Sequence, residues 1–160
     1  DLTGLPNRAE LERAMAHPSH GPCAVLCVDL DDFKKIDDEL GHAAGDAVLK
    51  QLARVFRGAI RDVDVAARVR GEEFVVWLPE TDQKAAREVA ERIRRTVADL
   101  EWEWAGAGVT LTCSIGVSAR PGTTSDIDKL LPAADAALDR AKRAGRNRVE
   151  VAAAEVKQSG

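Results

Sequence analysis

Val63-Asp64-Val65-Ala66-Ala67-Arg68-Val69-Arg70-Gly71-Glu72-Glu73-Phe74-Val75-Val76-Trp77-Leu78 reads as two β-rich runs, 63–69 and 74–78, around a short charged turn. β-branched and apolar residues on both sides of a glycine predict a hairpin, and Pro79 stops its second strand. The turn itself places two adjacent carboxylates, Glu72 and Glu73, beside Gly71. Such a turn buries little surface but is suited to holding a divalent cation near a phosphate. Charged hairpin tips are common, so the turn alone is a weak signal. A second acidic element, Asp29-Leu30-Asp31-Asp32-Phe33-Lys34, follows another apolar run. Two carboxylate sources at separate strand ends are what metal-dependent phosphoryl transfer requires.

Outward from the hairpin the chain alternates elements. Asn7 caps a helix over 8–16 after the Gly4-Leu5-Pro6 turn. Residues 24–28 are almost continuously apolar, as in a strand buried on both faces. A short helix over 33–39 is broken by Gly41. Val48, Leu49, Leu52, Val55, Phe56 and Ile60 then recur at helical spacing. A helix over 83–100, a strand over 109–119 and a helix from Ser125 or Asp126 to about Arg143 follow, with Gly145 as terminator. Residues 149–151 make a last short strand. After the opening helix the order is βααββαβαβ, which mixes hairpin and crossover connections. The expected fold class is therefore α/β (α+β), with a mixed or mainly antiparallel sheet of about five strands flanked by helices. One domain covers 1–153, and 154–160 form a tail, frayed at 157–160.

Composition narrows the function. At 160 residues a single core is large enough to bury roughly two-thirds of the unfolded surface. A net charge of −4 argues against broad nucleic-acid binding, which needs a basic face. Cys23, Cys27 and Cys113 lie in apolar runs without metal-ligand spacing and read as reduced, buried thiols of a cytoplasmic domain. No apolar run has the length of a membrane span, so direct membrane contact is not expected, although the parent protein is free to be anchored elsewhere. The abrupt opening Asp1-Leu2-Thr3-Gly4 suggests a piece of a longer protein with an upstream sensory or dimerising region.

Five motifs in fixed order resemble a known family. They are Leu2-Thr3-Gly4-Leu5-Pro6-Asn7-Arg8, the stretch VDLDDFKKIDDELGHAAGD over 28–46, RGEEF over 70–74, SIGV over 114–117 and AKRAGRNRV over 141–149. Nearly the whole chain is thus similar to the GGDEF domain, the catalytic module of bacterial diguanylate cyclases. The resemblance implies a palm-like nucleotidyl cyclase fold. It also implies that two GTP molecules are joined into cyclic di-GMP, with loss of two pyrophosphates, across a homodimer in which each domain binds one GTP. Two Mg²⁺ or Mn²⁺ ions per active site would neutralise charge. Carried over by motif, Asp29, Glu72 and the Leu30 carbonyl match metal ligands. Glu73 matches the second acidic residue, serving the metal or the 3′-hydroxyl. Lys34, Lys142 and Arg146 match triphosphate contacts, with backbone N–H groups at Asp32 and Phe33 opening a helix. Lys142 and Arg146 also read as cations stabilising a helix C-terminus. Asp37 and Asp46 match the guanine-reading pair; Asp46 also reads as an acid in the first turn of a helix.

Two departures bear on activity. The family usually has Asn where Asp37 stands, and a carboxylate accepts but cannot donate to the base. Arg70 replaces the first motif glycine. Its side chain either blocks the nucleotide or swings into solvent and adds a phosphate contact; both are compatible with the sequence. A milder difference is Asp139, where an aromatic is common, which is expected to change packing. Arg61-Asp62-Val63-Asp64 matches the RxxD inhibitory site, where the family binds product, with Arg61 and Asp64 as primary ligands and Arg92 in support. A polar turn between helix and strand explains the same residues without a ligand. His42 is expected to fix its loop; His17 and His20 carry no metal signal, and Trp77, Trp102 and Trp104 are packing residues. Beside the cyclase stand two alternatives: a degenerate domain that receives cyclic di-GMP or GTP without turnover, and a phospho-acceptor receiver with an Asp29/Asp31/Asp32 acid pocket. A receiver needs its acids at the ends of parallel strands, which the hairpin glutamates do not fit.

Overall fold

The computed structural model describes residues 2–17, 21–102 and 110–154. His20, Trp104, the expected strand start at 109 and the tail at 155–160 fall outside them. In chain order the elements are α1 (Arg8–Met15), β1 (Cys23–Leu30), α2 (Phe33–Leu40), α3 (His42–Ala59), β2 (Val65–Arg70), β3 (Glu73–Pro79), α4 (Gln83–Asp99), β4 (Cys113–Arg120), α5 (Leu130–Arg143) and β5 (Val149–Val151). A single 3₁₀ turn, Ile127–Lys129, leads into α5. The sheet runs β2-β3-β1-β4-β5, antiparallel except for the parallel β4–β5 pair. This is the mainly antiparallel five-stranded sheet that the element order predicts.

Local chemistry explains the boundaries. Asn7 and Glu10 form a reciprocal capping box at α1. Asp82 caps α4, and Asp126, one of the two expected starters, caps the turn before α5. The first hairpin strand begins at Val65 rather than 63. Asp64 accepts a hydrogen bond from the Arg61 backbone N–H and closes a turn, leaving Val63 exposed.

β1 is the centre of the molecule, and all eight of its residues are buried. Alternation sends Ala24, Leu26, Val28 and Leu30 into one core with Val48, Leu52 and Phe56 of α3 and Ala90 and Ile93 of α4. Cys23, Val25 and Cys27 point the other way, onto Leu11 of α1 and Leu130, Ala134 and Leu138 of α5. Two helix layers therefore sandwich the sheet, which is why the β1 sequence is apolar without alternation. The three cysteines are free and buried, and burial pushes the Cys27 and Cys113 thiols far up, out of the reactive range. Trp77 and Trp102 are buried packing residues, as expected. Among the described residues no helix is long and apolar enough to cross a membrane.

Candidate active site

The parity of β1 decides which acid faces which helix. Cys23, Val25 and Cys27 face α5, so Asp29 is the next residue on that side. On α5, Ala134 and Leu138 cover the same face, and the next residue four positions on is Lys142. Its Nζ donates to Asp29 Oδ2. On the other side of β1, Glu73 is the direct cross-strand partner of Asp29. Two carboxylates facing each other on one side of a sheet repel. The lysine answers only part of that charge.

Asp29 is buried, and its second oxygen, Oδ1, has no hydrogen-bond partner. Burial raises its pKa to about 6; the Lys142 hydrogen bond and charge oppose the rise, and Glu72 and Glu73 add to it. For Lys142, burial works against the ammonium, but the hydrogen bond and charge of Asp29, helped by Glu73 and Asp139, outweigh it and raise the pKa. An orphaned carboxylate oxygen among three mutually repelling acids fits a hard cation. Among the described residues no group of three or more His, Cys, Asp or Glu side chains gathers at ligand spacing.

The hairpin tip clarifies Arg70. Arg70 pairs with Glu73 after a bulge following Arg68. The left-handed backbone falls on Gly71 (φ 48°), where a glycine is retained, and Arg68 Nε braces the turn by donating to the Gly71 carbonyl at 2.8 Å. The Arg70 side chain is 81% exposed and leans onto Glu73, with Nη2 to Oε2 at 3.5 Å. A cavity of about 310 Å³ opens behind this pair, floored by Leu11, Cys27, Val75 and Leu138.

The expected phosphate contacts converge on the turn that opens α2. Asp32 adopts a left-handed conformation (φ 57°) at the N-cap and makes no side-chain cap bond. The first N–H groups of α2 have no partner within the helix. Arg146 reaches across from the turn after α5, with Nη1 3.7 Å from Asp32 Oδ1. Lys142 also lies in the last turn of α5, so its helix-terminus role holds at the same time. Phe33 is half-buried and Lys34 exposed beside them. Leu30 is the last residue of β1, opposite Cys113.

Asp37 and Asp46 sit on the two helices that meet at Gly41. Asp37 accepts from or pairs with His42 Nδ1 at 3.0–3.1 Å, so His42 fixes this loop as expected. A methyl group on Gly45 would collide with Asp37 Oδ1 and press on Phe33, so the glycine lets the two helices close around these side chains. Asp46 is exposed and is the fifth residue of α3, past its first turn. The helix-start explanation for Asp46 therefore fails.

The receiver alternative places Asp31 in an open acid pocket, and the structure excludes it from one. Its carboxylate is spent on Thr112 Oγ1 and Ser114 Oγ, both at 2.7 Å, and on the Asn147 backbone N–H at 3.0 Å. With antiparallel neighbours on both sides of β1, the receiver plan is overturned. Asn147, Thr112 and Ser114, which supply these donors, are not among the site residues expected from the sequence. The available signal was an acid directly after a fully buried strand, which must find donors.

Arg61, Asp64 and Arg92 line a separate cavity of about 380 Å³ with Thr81 and Val89. Arg61 grips Asp64 through Nε and Nη2 and also donates to the Pro79 carbonyl and Thr81 Oγ1. Asp64 is buried, and Arg92 donates to the Ala59 carbonyl. The turn explanation and a ligand site use the same residues here.

Comparison with known proteins follows the same outline. The profile described as "Diguanylate cyclase, GGDEF domain" matches residues 1–148. The diguanylate cyclase DgcP of Pseudomonas aeruginosa is 45% identical over 157 residues, covering 94% of this chain; the chain spans 23% of that relative's length. Among solved structures, the GGDEF domain of YfiN (TpbB) from Pseudomonas aeruginosa superposes with a TM-score of 0.85 at 36% identity, covering 96% of this chain and 99% of that one. The coiled coil and GGDEF domain of DgcB from Caulobacter crescentus, in complex with c-di-GMP, gives 0.84 at 29% identity, covering 94% and 83%.

Proposed function

Since the chain belongs to the diguanylate cyclase GGDEF family, we propose that it condenses two GTP molecules into cyclic di-GMP as a homodimer. The observation that carries this reading is the facing pair Asp29 and Glu73, with Asp29 Oδ1 left without a partner and Lys142 on Oδ2. Asp29, Glu72 and the Leu30 carbonyl would hold Mg²⁺ or Mn²⁺. When bound, these ions neutralise the phosphates and polarise the phosphorus centre. Glu73 takes the proton of the 3′-hydroxyl as its oxygen bonds to the α-phosphorus of the facing GTP. The bond from that phosphorus to the pyrophosphate oxygen breaks, and the same exchange in the other direction closes the ring. Lys34, Lys142, Arg146 and the N–H groups of Asp32 and Phe33 position the triphosphate, and most of the catalysis is such positioning. Asp37 and Asp46 read the guanine.

Arg61, Asp64 and Arg92 form the product site in this reading, supported by the cavity they line and by a relative whose structure was determined with c-di-GMP. A second reading, a receptor without turnover, draws on Arg70 lying against Glu73 and on the acid at Asp37. Incubating GTP and Mg²⁺ with the domain fused to a parallel coiled coil, followed by chromatography, separates the two. Cyclic di-GMP supports the cyclase; none, with tight binding of added cyclic di-GMP, supports the receptor. Under either reading, Arg61→Ala is expected to weaken cyclic di-GMP binding at least about tenfold in calorimetry, because a charge-assisted contact is lost. Unchanged affinity would move the product elsewhere.

Metal binding should depend on pH in a defined direction. Burial holds the Asp29 pKa at about 6, above an ordinary aspartate, so below that value a proton competes with the cation. Mn²⁺ affinity is expected to rise by up to about tenfold per pH unit toward pH 6 and to level off above it. A titration followed by electron paramagnetic resonance at pH 5 and pH 7.5 measures this. A flat profile would remove Asp29 from the ligand set.

A further inference from the structure

Building on the cyclase reading, we propose that Asp31, Asn147 and Arg94 form a clamp that positions Arg146 on the triphosphate. The turn after α5 runs through three successive left-handed residues, Gly145 (φ 123°), Arg146 (φ 64°) and Asn147 (φ 46°). Two of them are not glycine, and such a backbone persists only where its surroundings over-determine it. The surroundings do so from three elements. The Arg146 N–H donates to the Ala141 carbonyl at 3.0 Å, from α5 itself. The Asn147 N–H donates to Asp31 Oδ2 at 3.0 Å, from the end of β1. The Asn147 side-chain oxygen accepts from Arg94 Nη1 at 3.0 Å, from α4, and Arg94 is itself held by Glu91 at 3.0 Å.

Asp31 is the joint of this arrangement. Thr112 and Ser114 fix its carboxylate, and its own N–H donates to the Thr112 carbonyl at 2.9 Å. It adjoins Asp32, which opens α2, and it holds Asn147, which adjoins Arg146. One buried carboxylate therefore sets the separation of the two turns that carry the phosphate contacts, and Arg146 closes the gap by reaching Asp32. Arg94 keeps Asn147 from rotating away. These are positioning residues: none points a charge at the nucleotide, and each acts through the backbone of Arg146.

The consequence is selective. Loosening the clamp should weaken the hold on phosphates and leave the guanine cleft between α2 and α3 untouched. The test measures binding of GTP and of guanosine by calorimetry in a Glu73→Gln background, so that turnover does not consume the ligand. Arg94→Met and Asn147→Ala are expected to weaken GTP about tenfold and leave guanosine unchanged, with Asn147→Ala also lowering the thermal midpoint because alanine tolerates the left-handed backbone less well than asparagine. Asp31→Asn keeps an acceptor for the Asn147 amide and a donor for Ser114, so it should recover most of the affinity that Asp31→Ala loses. Unchanged GTP affinity in both Arg94→Met and Asn147→Ala overturns the clamp, as does a loss shared equally with guanosine. A background protein that binds no GTP at all overturns the functional reading, and the clamp with it. The two failures are thus told apart.

Discussion

Glu73→Gln is expected to reduce cyclic di-GMP formation by about 10²–10⁴-fold, the range a positioned general base supplies. The geometry makes this variant unusually clean. Glu73 faces Asp29 directly across the β1–β3 pair, and its charge raises the Asp29 pKa. Removing one of two facing carboxylates relieves repulsion, so the protein should be at least as stable as the parent. The ion pair lost with Arg70 is solvent-exposed and long, and contributes little to folding. Activity and stability should therefore move in opposite directions, which a defect in folding cannot imitate. Chromatographic product analysis beside a thermal melt provides the comparison. Full turnover in the glutamine variant would take the proton-accepting role away from Glu73.

Gly116→Ala should have the largest effect on the fold. Gly116 lies mid-strand in β4 on the face covered by α5, and a Cβ built there runs into the Ala134 carbonyl oxygen and the Leu138 backbone nitrogen. These are helix backbone atoms, so no side-chain rotation relieves the clash. The helix must lift from the sheet along the face that buries Leu130, Ala134 and Leu138. Overpacking of this kind costs about 1–3 kcal/mol, and the rigidity of both backbones favours the upper end. For a domain of this size that corresponds to a drop of roughly 6–12 °C in the thermal midpoint. The same shift would carry Lys142 off Asp29, so activity should fall beyond what the melt explains. A midpoint within about 1 °C of the parent would mean that α5 does not rest on the β4 backbone as described.

Much of the architecture could be read from local pattern. The apolar run at β1, the hairpin around Gly71 and the capping residues Asn7 and Asp126 each act over a few residues, and so the element order and the antiparallel sheet follow from them. The resemblance to the GGDEF family likewise implied that Asp29, Glu73, Lys142 and Arg146 belong to one site. The resemblance singled out Asp29, but the sequence did not show how the aspartates at 29, 31 and 32 differ in burial and partners. Asp29 is buried with an oxygen to spare, Asp31 is buried and saturated, and Asp32 is exposed in a left-handed turn.

Propensity and spacing thus determined which elements form and which residue types collect at the strand ends, because those signals are short-ranged. The tertiary structure alone decided the division of labour among them. The partner of Asp29 comes from a helix more than one hundred residues away, the donors to Asp31 come from β4 and the turn after α5, and a bulged hairpin register sets Arg70 opposite Glu73. Strand parity, helix face and register are set only when the layers pack, and a carboxylate keeps a free oxygen or becomes a structural joint according to which donors that packing brings to it.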